Sequence, residues 1–179
     1  MRGNGSMPTY SPDRPEFQQR VHENGRSEDT DFPSAEALYR RYREKDLVDG
    51  KPTPLSAFRF DDNSGHSVNR GRYSEPQDVL EPDCCNGLMR IGYVVLELAV
   101  GDIPAEITSA DETRRVYNFQ MKHVPKATCF AHSEIWCNQH GHIREPYEKP
   151  PKNVRDVFAA ELVRQIRNAP RRFEPQGAA

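Results

Sequence analysis

The stretch CFAHSEIWCNQHGH, residues 129–142, decides between two incompatible backbones for the middle of this chain. It brings two Cys, three His, one Glu and the single Trp of the 179-residue sequence into fourteen positions. As a β-strand it would present polar side chains on one face of a sheet, whereas as a tight knuckle it would bind a metal ion. The fold and the candidate site therefore both depend on this segment.

As a strand, residues 130–137 alternate between the two faces of a sheet. One face carries an imidazole and a carboxylate between two aromatic rings: Phe130, His132, Glu134 and Trp136. The other face is small and mostly apolar: Ala131, Ser133, Ile135 and Cys137. A carboxylate beside a neutral imidazole orients it and makes it more basic, as a general acid or base requires. We therefore predict His132 and Glu134 as catalytic residues, although the same two groups could also form a structural pair.

The metal alternative uses the pattern C-x2-H-x4-C-x2-H, whose ligands would be Cys129, His132, Cys137 and His140. Zinc binds thiolate and imidazole ligands, and ligands two residues apart suit a tight turn. In a strand, however, His132 and Cys137 point to opposite faces and could not bind one ion. Zinc is thus the alternative to the strand, and any other cofactor is unknown from the sequence.

The segments on either side have the pattern of further strands. VYNFQMKHV (116–124) alternates between apolar and polar side chains, which predicts one buried and one solvated face. IGYVVLELAV (91–100) is β-branched and apolar on both faces apart from Glu97, which predicts a central strand. HSVNR (66–70) and LSAFRF (55–60) are predicted as shorter strands.

Helices are predicted at three places. Ser34–Asp46 has an apolar face at helical spacing, formed by Ala35, Leu38, Tyr39 and Tyr42. YSEPQDVL (73–80) is a brief helix with Pro76 in its first turn, and Val154–Asn168 is an amphipathic helix capped by Asn153. The expected class is α+β: a single domain with a mixed, mostly antiparallel sheet of four to six short strands, flanked by two or three helices.

Composition divides the chain into three parts. Residues 1–30 are polar without an apolar period and are predicted to be a disordered or extended N-terminal segment. Residues 31–168 are predicted to form the single α+β domain, and residues 169–179 a flexible C-terminal tail.

No run of 18 apolar residues exists and the start lacks the apolar region of a secretory signal, so no membrane association is expected. Four cysteines without the spacing of a secreted framework, Cys84, Cys85, Cys129 and Cys137, predict free thiols in the cytoplasm.

Charge and motifs restrict the functions. A net charge of −2 gives no basic field, so nucleic acid is not the expected partner, although the patches LYRRYREK (38–45) and APRRFE (169–174) leave it open. The chain contains no G-x-x-x-x-G-K-[ST], G-x-G-x-x-G, G-x-S-x-G or H-E-x-x-H motif, which argues against the families that those motifs define.

These observations predict a small soluble enzyme that uses His132 and Glu134 for acid–base chemistry. Its substrate would be a small anion such as a nucleotide or phosphate ester, because arginines and polar side chains suited to an anion occur in the chain. The substrate-binding residues would be Arg59, Ser67, Asn69 and Arg70. The alternative is a non-enzymatic interaction or accessory module with a protein partner. In this module residues 129–142, the Cys/His segment, are structural, with or without zinc.

Overall fold

The computed structural model describes residues 28–54, 58, 60, 65–80, 90–126, 129–139 and 149–173. Within these ranges the strands are β1 (Ala37–Arg43), β2 (His66–Arg70), β3 (Tyr93–Ala99), β4 (Glu106–Thr108), β5 (Val116–His123) and β6 (His132–Gln139). Short 3₁₀ helices span Glu44–Asp46, Pro76–Leu80 and Val100–Asp102, and one α-helix, α1, spans Lys152–Gln165.

The described strands form one sheet in the order β3-β1-β2-β6-β5-β4, and every neighbouring pair is antiparallel. The prediction of α and β structure around an antiparallel sheet of up to six short strands is therefore confirmed. The expectation of two or three flanking helices is not, because α1 is the one α-helix among the described residues. The brief helix predicted over residues 73–80 is the 3₁₀ helix Pro76–Leu80.

The segment predicted as the first helix is a strand, and that prediction was wrong. β1 pairs with β3 over seven residues, from Ala37 opposite Ala99 to Arg43 opposite Tyr93. Leu38 and Tyr42 lie four residues apart, a spacing that defines one face of a helix but, being even, also one face of a strand. Both are buried in the core, while Tyr39 packs on the opposite face of the sheet. Pairing with two neighbouring strands therefore outweighed the local helical pattern.

β3 is confirmed as a strand, but its predicted central position was wrong, since it lies at one end of the sheet. Its side chains are apolar on both faces because both faces are covered. Val94, Leu96 and Leu98 belong to the main core, while Val95 packs with Val79 and Leu80 on the other side. Its outer edge is also paired, because Val95 and Arg171 exchange backbone hydrogen bonds of 2.9 and 3.0 Å.

The main core lies between the sheet and α1, which confirms the predicted C-terminal helix with shifted ends. The helix follows Pro151 at its N-cap position rather than Asn153. It buries a stripe of Val154, Phe158, Ala159 and Leu162 against the sheet. The ring of Phe158 stacks on Phe119 of β5 at 4.4 Å and packs on Phe60 at 5.1 Å, between ring centroids.

The shorter predicted strands have different outcomes. HSVNR is confirmed as β2, and the longer VYNFQMKHV is confirmed as β5. The predicted strand Leu55–Phe60 lies mostly outside the described residues, although Phe58 and Phe60 themselves are buried in the core.

Among the described helices, none has the length and apolar character needed to cross a membrane.

Candidate functional site

The face of the sheet that points away from α1 carries a row of polar side chains, which we call the polar face. Strand alternation sends Ile135 and Cys137 of β6 into the core and leaves the intervening residues on the opposite side. Antiparallel register then places neighbours directly beside them, because Ser67 pairs with Glu134, Asn69 with His132, and Lys122 with Glu134. The polar face is formed across three strands by Ser67, Asn69, Gln120, Lys122, His132, Glu134 and Trp136.

The predicted His132–Glu134 pair forms at the centre of the polar face. Residues two apart on a strand share a face, and here Nε2 of His132 lies 3.3 Å from Oε1 of Glu134. Both side chains are largely enclosed, with 8% of the His132 side chain and 10% of the Glu134 side chain exposed. Of the two backbones considered for the Cys/His segment, the strand is thus the one that the chain adopts.

Glu134 is held by two donors besides His132. The backbone N–H of Gly65 and the indole Nε1–H of Trp136 both donate to Oε2, at 2.9 and 3.0 Å. Burial acts to raise the pKa of Glu134, but the hydrogen bonds from His132, Gly65 and Trp136 outweigh it, and the pKa is lowered below its ordinary value. Glu134 is therefore an ionised acceptor near neutral pH.

Gly65 has a steric reason to be glycine. A Cβ atom at this position would lie 2.7 Å from Cδ1 of Trp136 and 2.8 Å from the carbonyl oxygen of Ile135, both too close for ordinary contact. The missing side chain allows the backbone to approach β6 and to bring its N–H to the carboxylate. The local sequence places this glycine in a turn but gives no sign of its contact with Glu134.

The ionised carboxylate of Glu134 determines which ring nitrogen of a neutral His132 carries the proton. Because Oε1 of Glu134 can only accept, Nε2 of a neutral His132 carries the proton and Nδ1 carries the lone pair. Nδ1 makes no hydrogen bond to any described residue, whereas Nε2 is engaged by Glu134. Chemically, this is an imidazole fixed in one tautomer, with its basic nitrogen directed away from the carboxylate that orients it.

A cation and an aromatic ring complete the polar face. Nζ of Lys122 lies 4.3 Å from the centroid of the Trp136 ring, a cation–π contact between β5 and β6. Lys122 also lies directly opposite Glu134 in the register of the two strands. The alternating sequence pattern places Lys122 on the solvated side of β5 but gives it no role, since cross-strand register is not visible in a single segment.

The predicted substrate-binding residues are divided by the sheet. Ser67 and Asn69 lie on the polar face beside Glu134 and His132, and Ser67 is exposed while Asn69 is buried. Arg70 follows Asn69 on β2 and therefore projects to the other side. Arg59 lies outside the described residues.

Arg70 belongs to a closed group of buried side chains that we call the Arg70 cluster: Asp29, Glu36, Arg70, Tyr73 and His123. No part of the Arg70 side chain is exposed, and Nε and Nη2 donate to Glu36 at 2.9 and 2.7 Å. Nη1 donates to the carbonyl oxygen of Asp29 at 3.0 Å and lies 3.2 Å from its carboxylate, while Nη2 also donates to the Asp31 carbonyl oxygen. These oxygens match the five N–H donors of the guanidinium, so Arg70 fastens residues 29–36 to the sheet instead of facing a substrate.

The remaining members of the Arg70 cluster are equally enclosed. The Asp29 amide donates to Nδ1 of His123 at 2.8 Å, so Nε2–H of His123 donates to the Phe130 carbonyl oxygen at 2.6 Å. Burial acts to raise the pKa of Asp29, but hydrogen bonds from the Tyr73 hydroxyl and the Asp31 amide, together with Arg70 and Arg72, outweigh it. The pKa of Asp29 falls to about 2 as a result.

The four-ligand zinc set is not brought together. Cys129 is disulfide-bonded, which corrects the expectation of a reduced thiol at this position. Cys137 keeps its thiol and is buried on the core side, opposite His132, while His140 lies outside the described residues, as do Cys84 and Cys85. In the part of the chain that the structure describes, no three His, Cys, Asp or Glu side chains are grouped to hold a metal ion.

Comparison of the chain with protein-family models, with curated proteins and with solved structures gives no match. Function must therefore be inferred from the geometry of the polar face.

Proposed function

We propose that this chain is a small enzyme that uses His132 and Glu134 for acid–base chemistry on an anionic substrate, such as a nucleotide or a phosphate ester. One observation carries the proposal: Nε2 of His132 faces the ionised carboxylate of Glu134 at 3.3 Å, while Nδ1 has no hydrogen-bond partner among the described residues. Because Nδ1 of the neutral ring carries the lone pair, it is the nitrogen that can accept a proton.

The roles follow from this arrangement. Nδ1 of His132 takes a proton from a substrate hydroxyl or a water molecule and returns it to the leaving group. Glu134 is the positioning residue, because it fixes the tautomer through Nε2 and stabilises the imidazolium that forms. Gly65 and Trp136 hold Glu134 in place through its second oxygen, so the carboxylate does not turn away from the imidazole.

An anionic substrate is supported by Lys122, which the sequence alone did not indicate, and not by Arg70. Arg70 is committed to Asp29 and Glu36, whereas Lys122 lies on the polar face beside the pair. The exposed Ser67 lies on the other side of Glu134, directly opposite it in register. A cation and a hydroxyl on the two strands that flank the pair suit a phosphate or carboxylate group bound on the polar face.

The test is turnover of phosphate esters by the full chain and by matched variants. With p-nitrophenyl phosphate, bis(p-nitrophenyl) phosphate and ATP as substrates, His132→Ala should lower kcat/KM by ~10²–10⁴-fold, the usual contribution of a general acid or base. Glu134→Gln should lower kcat more than it raises KM, because it acts on the imidazole and not on the substrate. Gln120→Ala, on the same face, is the control and should leave both constants unchanged.

The competing function is the non-enzymatic interaction module, and the enclosure of the pair favours it. A carboxylate with three hydrogen bonds beside a histidine that is 8% exposed would also serve to rigidify β6. If His132→Ala and Glu134→Gln lower the melting temperature equally and no substrate in the panel is turned over, the enzyme proposal is wrong and the module is favoured.

A further inference from the structure

The sheet surface that forms the polar face continues onto β1, where it carries an arginine without a counterion. Tyr39 packs on this surface, and Arg41 follows it by two residues on the same strand, so its side chain projects to the same side. The register places Arg41 directly opposite Val95 of β3, which also lies on this surface. The side chain of Arg41 is exposed and makes no hydrogen bond or ion pair with any described residue.

A second arginine lies beside Arg41. The 3₁₀ helix Pro76–Leu80 covers this part of the sheet, because Leu80 packs against Val95. The backbone N–H of Arg90 donates to the carbonyl oxygen of Leu80 at 2.9 Å, which brings Arg90 to the same place. Arg90 is partly exposed, and its side chain likewise has no hydrogen-bond or ion-pair partner among the described residues. Its enclosed nitrogen is Nε, so a ligand would contact the terminal nitrogens Nη1 and Nη2.

The two guanidinium groups are close enough to repel each other. Partial burial lowers the pKa of Arg41, and the positive charge of Arg90 lowers it further. Arg43, two residues along the same strand, differs because it pairs with Asp46 at 2.7 Å. Two adjacent positive charges without a counterion favour a ligand that brings two negative charges.

We propose that Arg41 and Arg90 bind a dianionic phosphate group, such as that of a phosphate monoester. A guanidinium presents a planar fork of donors that matches two oxygens of a phosphate, and two guanidinium groups offset the charge of the dianion. A sulfonate or carboxylate carries a single charge and leaves part of the repulsion in place. The inference goes beyond the proposed function, because it concerns binding on β1 and requires no proton transfer at His132.

The proposal is tested by ³¹P NMR titration of the full chain with phenyl phosphate at about pH 8, above the second pKa of a phosphate ester. We expect saturable binding that inorganic phosphate displaces. Benzenesulfonate, which has the same ring but a single charge, should displace it at least 10-fold less well. Tighter binding of phenyl phosphate than of inorganic phosphate would assign the site to an ester, and the reverse order would assign it to the free ion.

Variants of the two arginines test whether they form the site. Arg41→Met and Arg90→Met should each weaken the binding of phenyl phosphate by at least 10-fold, since each removes a charged donor. Arg90→Lys keeps the charge without the planar fork and should weaken binding as well. This second variant keeps the test decisive if Arg90→Met does not fold.

Matched controls locate the binding on the sheet. Arg43→Met, on the same strand but paired with Asp46, should leave the affinity unchanged. Lys122→Met removes the cation that the proposed function assigns to its substrate and should also leave it unchanged, so that failure of one proposal is distinguished from failure of the other. Absence of saturable binding, equal displacement by benzenesulfonate, full affinity in both Arg41→Met and Arg90→Met, or a loss confined to Lys122→Met would overturn the proposal.

Discussion

The Arg70 cluster and the His132–Glu134 pair both bury acids beside bases, yet they differ in what remains unsatisfied. In the Arg70 cluster each guanidinium N–H faces an oxygen, and both nitrogens of His123 are bonded to backbone groups. In the pair, Glu134 is satisfied but one nitrogen of His132 is not bonded to any described residue. Similar burial therefore accompanies two different patterns of hydrogen bonding, and the difference is visible only when every donor and acceptor is accounted for.

The two histidines differ in the same way although they lie close together. His123 of β5 lies opposite Ser133 of β6, and the two side chains point to the same face of the sheet. His132 precedes Ser133 on β6 and therefore points to the opposite face. His123 connects residue 29 to the sheet, whereas His132 offers a basic nitrogen. We therefore expect the Arg70 cluster to contribute stability and the pair to contribute reactivity.

The largest effect is expected from Arg70→Met. This change removes the cation from Asp29 and Glu36 while roughly preserving the length of the side chain. Buried Glu36 then loses its ion-pair partner, and Asp29 keeps only that of Arg72. Breaking a buried ion pair by removing one member typically costs about 3–5 kcal/mol of unfolding free energy. Chemical denaturation measures it, and Arg72→Met is the control, since Arg72 binds Asp29 and Asp31 but is 34% exposed. Equal losses in the two variants would contradict the closed character of the Arg70 cluster.

A smaller loss is expected from Gly65→Ala, which tests the support of the pair. The new methyl group would lie 2.7 Å from Trp136, so the strand backbone must shift and its N–H must move away from Glu134. Overpacking of this kind costs about 1–3 kcal/mol, measured by denaturation. Under the proposed function the same variant should also lower kcat. Ser67→Ala, two residues along at an exposed position, should change stability by less than ~0.5 kcal/mol. A wild-type stability for Gly65→Ala would show that the close approach is not required.

The third test changes the pH. The pKa of Asp29 is lowered to about 2 and that of Glu134 is also lowered, so each carboxylate stabilises the fold above its unfolded pKa. That stabilisation is lost as the pH falls through the lower, folded pKa. The difference in unfolding free energy between wild type and Asp29→Asn, or wild type and Glu134→Gln, should therefore be largest near neutral pH and shrink between about pH 5 and pH 2. A difference that stays constant over this range would mean that the two carboxylates do not titrate as argued.

The smallest effect is expected from Arg43→Ala at the end of β1. Arg43 pairs with Asp46 at 2.7 Å, but 54% of its side chain is exposed, so solvent screens the interaction. Exposed pairs contribute about 0–1 kcal/mol, and the effect should fall further in high salt. A loss as large as that of Arg70→Met in the same denaturation experiment would show that burial is not what distinguishes the two kinds of ion pair.

Prediction from sequence succeeded where the side chains alternate in character from one residue to the next. Alternation in residues 116–123 and 132–139 specified β5 and β6, and with them the shared face of His132 and Glu134. It failed in residues 37–43, where Leu38 and Tyr42 suit a helix and a strand equally. It failed for the position of β3 as well, because apolar side chains on both faces indicate cover on both faces and not a place in the middle of the sheet.

Roles that depend on distant residues were beyond the local pattern. Arg70 resembled an anion-binding residue until Asp29 and Glu36 were placed beside it, 41 and 34 positions away along the chain. Gly65 gained a role only through its contact with a carboxylate 69 positions later. Cys129, grouped with possible metal ligands by its spacing, is in fact part of a disulfide.

By itself the sequence determined the alternating strand β5 and the C-terminal helix, because these features follow from backbone geometry over a few residues. It placed an imidazole and a carboxylate on one face only on the condition that residues 130–137 form a strand. Only the tertiary structure decided which charges are satisfied and which are not. Hydrogen bonding and burial are set by neighbours far apart in the chain, and those neighbours separate Arg70, enclosed by its partners, from His132 and Arg90, each of which retains a nitrogen without a partner among the described residues.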